Sequence, residues 1–333
     1  MRTLDLDPIW RVVEAQVPEP GRGRFLGVGI HTAEGEILAA VDEDGARVVL
    51  LPALADEPFA SDTSTKVHLT RRTLRTNSGD QTYIAVTCNA DRVKPAFTTM
   101  AAEMIIASEN ATQPGTVVSR LLNDWRDLLS GQQRPILTES KLVGLAAELV
   151  TLQQALSSDP TRDIGVWTGP EQAVHDFQRG GSALEVKGTL NREGLIVRIH
   201  GLRQLEAPQN GTLHLVVYRF EEAQGHGASI PDLVRAVMSL GVAPHEFVRR
   251  LGLLGYDMAD EAVYADFRLS TVERRVYRVD DQFPRVIRNS LVGGDVPLGV
   301  MSIRYSVDLT GPSPSPLPYG EADVALKLMA PDS

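Results

Sequence analysis

Glu185 and Lys187 stand two residues apart in Ser182-Ala183-Leu184-Glu185-Val186-Lys187, a run that reads as a β-strand. Asp176 lies shortly upstream, across a link containing Gly180-Gly181. A strand repeats every two residues, so Glu185 and Lys187 share one face and Leu184 and Val186 the other. Two carboxylates and an ammonium converging on one point can hold a divalent cation and a water. That is the equipment of metal-dependent phosphodiester hydrolysis. The bland reading is an exposed strand face, because an acid, any residue and a lysine make a weak string. Glu139-Ser140-Lys141 matches it too. That second match falls in a helical pattern, where residues two apart point to different sides and cannot converge.

The elements that must position these residues follow from periodicity. Residues 138–157 predict a helix, with Thr138 as a cap and Glu139 in the positive first turn. Leu142, Leu145, Leu149, Leu152 and Leu156 form its buried stripe. Glu148 leans toward that stripe, where a carboxylate is costly unless paired, hydrogen-bonded or bound to metal. The alternative, a stripe-edge residue reaching solvent, stays open. Asp163 to Trp167 reads as a strand, and Gly169-Pro170 turns the chain toward Asp176. Strands over Leu195–Ile199 and Leu213–Phe220 follow, so the order from 138 to 220 is a helix and then several strands.

The flanking stretches are less informative about chemistry. Residues 1–90 read as β-rich: Arg24–Ile30, Ile37–Val41 and Arg47–Leu51 are runs separated by Gly- and Asp-containing turns. Val67–Leu74 and Thr82–Cys88 look like two more strands, linked by Asn77-Ser78-Gly79-Asp80. Two helices are expected within 95–130, then a linker over Gly131–Pro135. Pro231 and Pro244 each start a helix. Ala262–Tyr277 and Gly299–Leu309 look extended, and Pro312–Pro318 reads as an exposed connection or tail. The clusters Arg71-Arg72-Arg75, Arg249-Arg250 and Arg274-Arg275-Arg278 read as solvated faces rather than phosphate sites.

Composition bounds the function. The chain has 333 residues, 43% hydrophobic and 23% charged, enough for two domains or one with additions. One cysteine, Cys88, excludes a disulfide framework and a thiolate zinc cluster. No apolar run has the length of a membrane span and no signal-peptide pattern is present, so a cytoplasmic protein without membrane association is expected. The net charge of −10 argues against a nonspecific nucleic-acid coat but leaves room for a local basic cleft. Basic residues are nearly all Arg; Lys66, Lys94, Lys141, Lys187 and Lys327 are the lysines, which adds weight to Lys187.

The order of several short motifs carries a resemblance. These are Leu142 to Leu149, Trp167-Thr168-Gly169-Pro170, His175-Asp176-Phe177, Leu184-Glu185-Val186-Lys187 and Leu202-Arg203-Gln204-Leu205. Gln282-Phe283-Pro284-Arg285 and Ile303-Arg304-Tyr305 continue the series. In that order the chain resembles PD-(D/E)XK proteins found in bacterial restriction and phage-defence gene clusters. The resemblance implies an α+β or α/β core, a mixed sheet flanked by helices, with a β-rich N-terminal domain. The expected organisation is 1–112 for that domain, 113–225 for the nuclease-like core and 226–333 for packed additions. The resemblance further implies metal binding by Asp176 and Glu185, water orientation and charge stabilisation by Lys187, and a helix acid at Glu148. Gln204 matches more weakly, as a substrate or sheet contact. His175 stands where the family has proline; it is a weak candidate for substrate contact against a structural role. Mg²⁺ is the expected cofactor, with Mn²⁺ able to substitute. Expected partners are DNA and other subunits of a defence system, such as a methyltransferase or helicase-like ATPase, with a homodimer as an option. The expected activity is endonucleolytic cleavage of DNA. The alternative is a noncatalytic nucleic-acid-binding or scaffold subunit that retains the fold. An unrelated protein with a chance motif would instead hold Asp176 and Glu185 far apart.

Overall fold

The computed structural model describes residues 4–17, 23–59, 61, 66–76, 79–126, 128–130, 135–223, 225–294, 296–327 and 329. The chain divides into two compact units, Met1–Arg134 with Ala243–Gly252 and Asp257–Ala259, and Pro135–Val242 with Leu253–Tyr256 and Asp260–Ser333. In the first, α1 (Asp7–Glu14) has Pro8 in its first turn, where a missing N–H costs nothing. The β-rich reading of this stretch missed α1. Strands β1 (Arg24–Thr32), β2 (Gly35–Val41), β3 (Arg47–Pro52), β4 (Val67–Thr76) and β5 (Gly79–Cys88) follow. They form an antiparallel sheet in the order β1-β2-β3-β5-β4. Leu38 faces Leu50 and Ala40 faces Val48 across β2 and β3. With Tyr83 and Ala85 they make an apolar cluster. Helices α2 (Lys94–Ala107) and α3 (Pro114–Trp125) pack on β3. Asn77 and Ser78 of the expected turn, and 131–134 of the expected linker, lie outside the described residues.

The second unit begins with α4 (Glu139–Ser157). Thr138 occupies its cap position, but its side chain makes no capping hydrogen bond. Strands β6 (Phe177–Arg179), β7 (Ser182–Thr189), β8 (Ile196–His200), β9 (Thr212–Glu222) and β10 (Ala228–Ser229) lead to α5 (Ile230–Ser239). Helix α6 (Pro244–Leu253) returns to the first unit. Then come α7 (Glu261–Tyr264), β11 (Arg268–Arg278), β12 (Arg304–Asp308) and α8 (Tyr319–Lys327). The main sheet is mixed, in the order β10-β11-β9-β7-β6, with β7 and β9 parallel and the other pairs antiparallel. Strands β8 and β12 form a separate two-stranded ribbon.

The sheet is covered on both faces. On one, Ala183, Leu213, Leu215, Val217 and Tyr277 pack with Val197, Ile199 and Val307 of the ribbon. Against the other lies α4. Gly188 makes that approach possible, since a Cβ there would stand 2.6 Å from the Val143 carbonyl oxygen. The fold is thus the expected mixed sheet flanked by helices, with a β-rich N-terminal sheet.

Several local expectations are corrected. Asp163–Trp167 is not a strand: Ile164–Val166 is a 3-10 turn capped by Asp163, whose carboxylate accepts from Gly165 N at 2.8 Å. Ala262–Tyr277 is broken by α7 before β11 starts, and Gly299–Leu309 is extended only over β12. Of the two readings of Pro312–Pro318, the exposed connection holds and the tail does not, because the segment leads into α8, which packs on α4 and β11. Within the basic clusters Arg71, Arg75, Arg249 and Arg278 are exposed as solvated faces require, but Arg250 is buried and bonded to Glu246, and Arg274 bonds Asp323 at 2.6 Å. Among the described residues no helix is long and apolar enough to cross a membrane.

Candidate active site

Strand β7 sets the geometry. Its alternation places Ala183, Glu185 and Lys187 on one face, and the Lys187 ammonium donates to Glu185 Oε1 at 2.6 Å. Parallel pairing sets Glu185 opposite Leu215 and Lys187 opposite Val217 of β9, so apolar neighbours surround both charges. Glu185 is buried; its second oxygen, Oε2, has no hydrogen-bond partner. Asp176 immediately precedes β6, and its Oδ2 accepts from the Val186 backbone N–H at 2.7 Å. Glu148 comes from α4 and accepts at Oε2 from the Trp167 indole N–H at 2.7 Å.

The turn before β6 is what brings these elements together. The N–H groups of Thr168 and Gly169 both donate to the Asp176 carbonyl, at 2.8 and 2.9 Å, and Trp167 forms a bridge with Phe177. Gly169 leaves the space between the carboxylates open. A Cβ there would lie 3.1 Å from Asp176 Oδ1 and 3.5 Å from Glu148 Oε2.

Crowding shifts every charge. Burial, then the Asp176 carboxylate, push Glu185 up to about 8 against the pull of Lys187. Burial and Asp176 likewise push Glu148 up to about 8, and the Trp167 hydrogen bond resists. Burial also raises Asp176, while Lys187 and the Val186 N–H oppose it. Burial works against the charge on Lys187, but Glu185 and Asp176 outweigh it and its pKa rises. Three buried acids beside one lysine are short of positive charge. A divalent cation would relieve this, and Glu185 Oε2 is an unsatisfied oxygen to meet it. Among the described residues no three His, Cys, Asp or Glu side chains are arranged to hold a metal by themselves. Two carboxylates suffice for Mg²⁺, which keeps several waters, but not for a closed zinc site. The donors therefore fit a hard, partly hydrated cation.

A family model described as "Putative PD-(D/E)XK family member, (DUF4420)" matches residues 7–310. The chain belongs to this family. Comparison with curated proteins and with solved structures found no match. The match spans both units of this DUF4420 chain, including the β-rich sheet and β12.

Of the sequence-derived candidates, the structure brings Asp176, Glu185, Lys187 and Glu148 within mutual electrostatic reach. Gln204 is elsewhere: its Oε1 accepts from His200 N at 2.6 Å and closes the turn through Gly201, whose φ of +112° suits glycine. His175 is buried, and both ring nitrogens are engaged. Gln178 Nε2 donates to its Nδ1 and its Nε2 donates to the Glu206 carbonyl, each at 3.0 Å, while burial lowers its pKa. The ring ties the Asp176 turn to the 203–206 loop. Sequence reasoning read Gly169 only as part of a turn and Trp167 only as a strand end, and gave neither a role at the carboxylates. Their only signal was the Trp167-Thr168-Gly169-Pro170 string itself, in which neither residue can titrate.

Proposed function

We propose that this PD-(D/E)XK protein is a Mg²⁺-dependent endonuclease that hydrolyses phosphodiester bonds in DNA, the cleaving subunit of a bacterial restriction or phage-defence system. The observation that carries this reading is the convergence of Asp176, Glu185 and Glu148 on Lys187 with one buried carboxylate oxygen left unsatisfied. Asp176 and Glu185 would hold Mg²⁺, or Mn²⁺ in its place. When bound, the cation supplies a Lewis acid for the phosphoryl oxygen and lowers the pKa of a water. Lys187 places an ammonium where negative charge collects as the phosphorus becomes five-coordinate. Its contact with Glu185 fixes that position. The Val186 N–H orients Asp176 and opposes the rise in its pKa, and the Trp167 indole does the same for Glu148. The acidic net charge suits a subunit brought to DNA by partners in the cytoplasm, a methyltransferase or helicase-like ATPase among them.

Incubation of the full chain with supercoiled plasmid and Mg²⁺ tests the proposal. Cleavage should stop with EDTA and fall at least ~10²-fold in Glu185→Gln and in Lys187→Ala, with circular dichroism unchanged. Undiminished cleavage in both variants would overturn it. Absence of nicking by the wild type, alone and with its gene neighbours' products, would favour a noncatalytic subunit that retains the fold.

A further inference from the structure

The ribbon of β8 and β12 carries a feature that the candidate active site does not use. His200 pairs with Arg304, and Arg198 with Ser306. Val197, Ile199 and Val307 fill the core beneath, so two-residue alternation turns Arg198, His200 and Arg304 to the exposed face. There a cleft of about 460 Å³ opens, lined by His200, Arg203, Arg288, Val300, Met301 and Arg304 among others. Among the described residues no carboxylate lines it. This occurs in a chain of net charge −10.

Arg203 and Arg304 of this cleft, and Arg198 beside them on β8, differ from other arginines in the same unit. Arg179 is held by Asp159 and Asp163, Arg274 by Asp323 and Arg285 by Asp281. Among the described residues no ion pair holds Arg198, Arg203 or Arg304. Like charges left together repel each other, and the repulsion is relieved when an anion bridges them. Gln204 fixes their spacing by closing the turn that carries Arg203. The ribbon that carries the cleft also packs on the strand that carries Lys187, Val197 and Ile199 of β8 lying against Ala183 of β7; in keeping with that, the Lys187 ammonium follows burial among the influences lowering the His200 pKa. The rim of the cleft is apolar and exposed, with Met301 at 96% and Val300 at 44%.

We infer that this cleft binds the DNA phosphodiester backbone flanking the bond presented to Lys187. Arg203 and Arg304 grip neighbouring phosphates, and Val300 and Met301 cover sugar or base faces at the rim. Guanidinium groups suit this task because their planar forks match phosphate oxygens. The inference rests on the nuclease reading only for what happens to the strand at Lys187.

Fluorescence anisotropy of the full chain with labelled single-stranded and duplex DNA, in Ca²⁺ to prevent turnover, separates binding from cleavage. Arg203→Ala/Arg304→Ala should bind at least ~10-fold more weakly at about 100 mM salt, across unrelated DNA sequences. Its plot of log affinity against log salt should be shallower by about 2, close to one unit per lost phosphate contact. Arg203→Lys/Arg304→Lys should keep most of the slope, and Arg11→Ala should bind as wild type. Wild-type affinity and slope in the folded double-alanine variant would overturn the inference, as would tighter binding of RNA than of DNA. If wild type never cleaves but loses DNA in the double-alanine variant, the cleft stands and the nuclease reading falls. If Glu185→Gln abolishes cleavage while the double-alanine variant keeps its affinity, the nuclease reading stands and the cleft falls.

Discussion

The Trp167 indole N–H ends on Glu148 Oε2 at 2.7 Å, where burial and a neighbouring carboxylate already raise the acid to about 8. Replacing that donor with a hydrocarbon edge leaves a buried carboxyl oxygen short of a partner, a cost of ~1–3 kcal/mol. Trp167→Phe should therefore lower stability by about that much in urea unfolding. If Glu148 must be held in place for turnover, the same variant should lower kcat ~10-fold with little change in KM. Retained kcat would make Trp167 a packing residue only. The charges at this scale were readable from spacing: Glu185 and Lys187 had to share a strand face. Trp167 and Gly169 were not, since one acts through a single N–H and the other through the absence of a side chain. His175 and Gln204 show the converse. Both are polar, yet each is consumed by local hydrogen bonds, His175 to Gln178 and Glu206 and Gln204 to His200.

At the scale of elements, α4 and β7 must approach closely for Glu148 to come near Glu185. Gly188 provides the clearance. Gly188→Ala would set a methyl 2.6 Å from the Val143 carbonyl, and backbone cannot yield cheaply. A loss of ~1–3 kcal/mol in urea unfolding is expected, as for other overpacked sites. The cap of α5 gives a pH dependence. Burial works against the ionised Asp232, but the Ser229 backbone N–H and hydroxyl, with Arg235 and Arg268, hold its pKa down at about 2. A carboxylate depressed below its ordinary value of 3.8 adds stability that is complete above 3.8 and disappears as the pH falls toward 2. Wild type should lose this part of its stability between those values, whereas Asp232→Asn should show a flatter profile in denaturant melts across the same acid range. The α5 start was legible from Pro231. The 3-10 turn at Ile164–Val166 was not, because the apolar alternation of Asp163–Trp167 suits a strand equally well and the Asp163 hydrogen bond decided against it.

For the whole molecule, a net charge of −10 sets a field that repels polyanions, while screening confines that repulsion to about 10 Å at 0.1 M salt. A local site can therefore carry the opposite sign. The same field favours a divalent cation where acids are buried. A ligand bound only by the folded chain at about 100 times its Kd adds ~2.7 kcal/mol. Thermal melts of wild type should accordingly shift upward with Mn²⁺, and Asp176→Asn/Glu185→Gln should show no shift. Without metal that double variant should melt at or above wild type, since it removes buried like charges. A metal response equal to wild type in the variant would place the cation elsewhere.

By itself the sequence determined the strand that aligns Glu185 with Lys187, the helix that carries Glu148, the hairpins of the N-terminal sheet and the order of motifs. These follow from periods of two and 3.6 residues and from turn chemistry, which act over a few residues. Tertiary structure alone decided that Glu185 keeps a buried oxygen unsatisfied, that Trp167 serves Glu148, and that Arg203 and Arg304, far apart along the chain, line one cleft on the ribbon that packs against β7. Such facts depend on which distant groups share a dielectric environment and a hydrogen-bond partner. No local spacing specifies that, because it is fixed only when β8 pairs with β12 and α4 closes on β7.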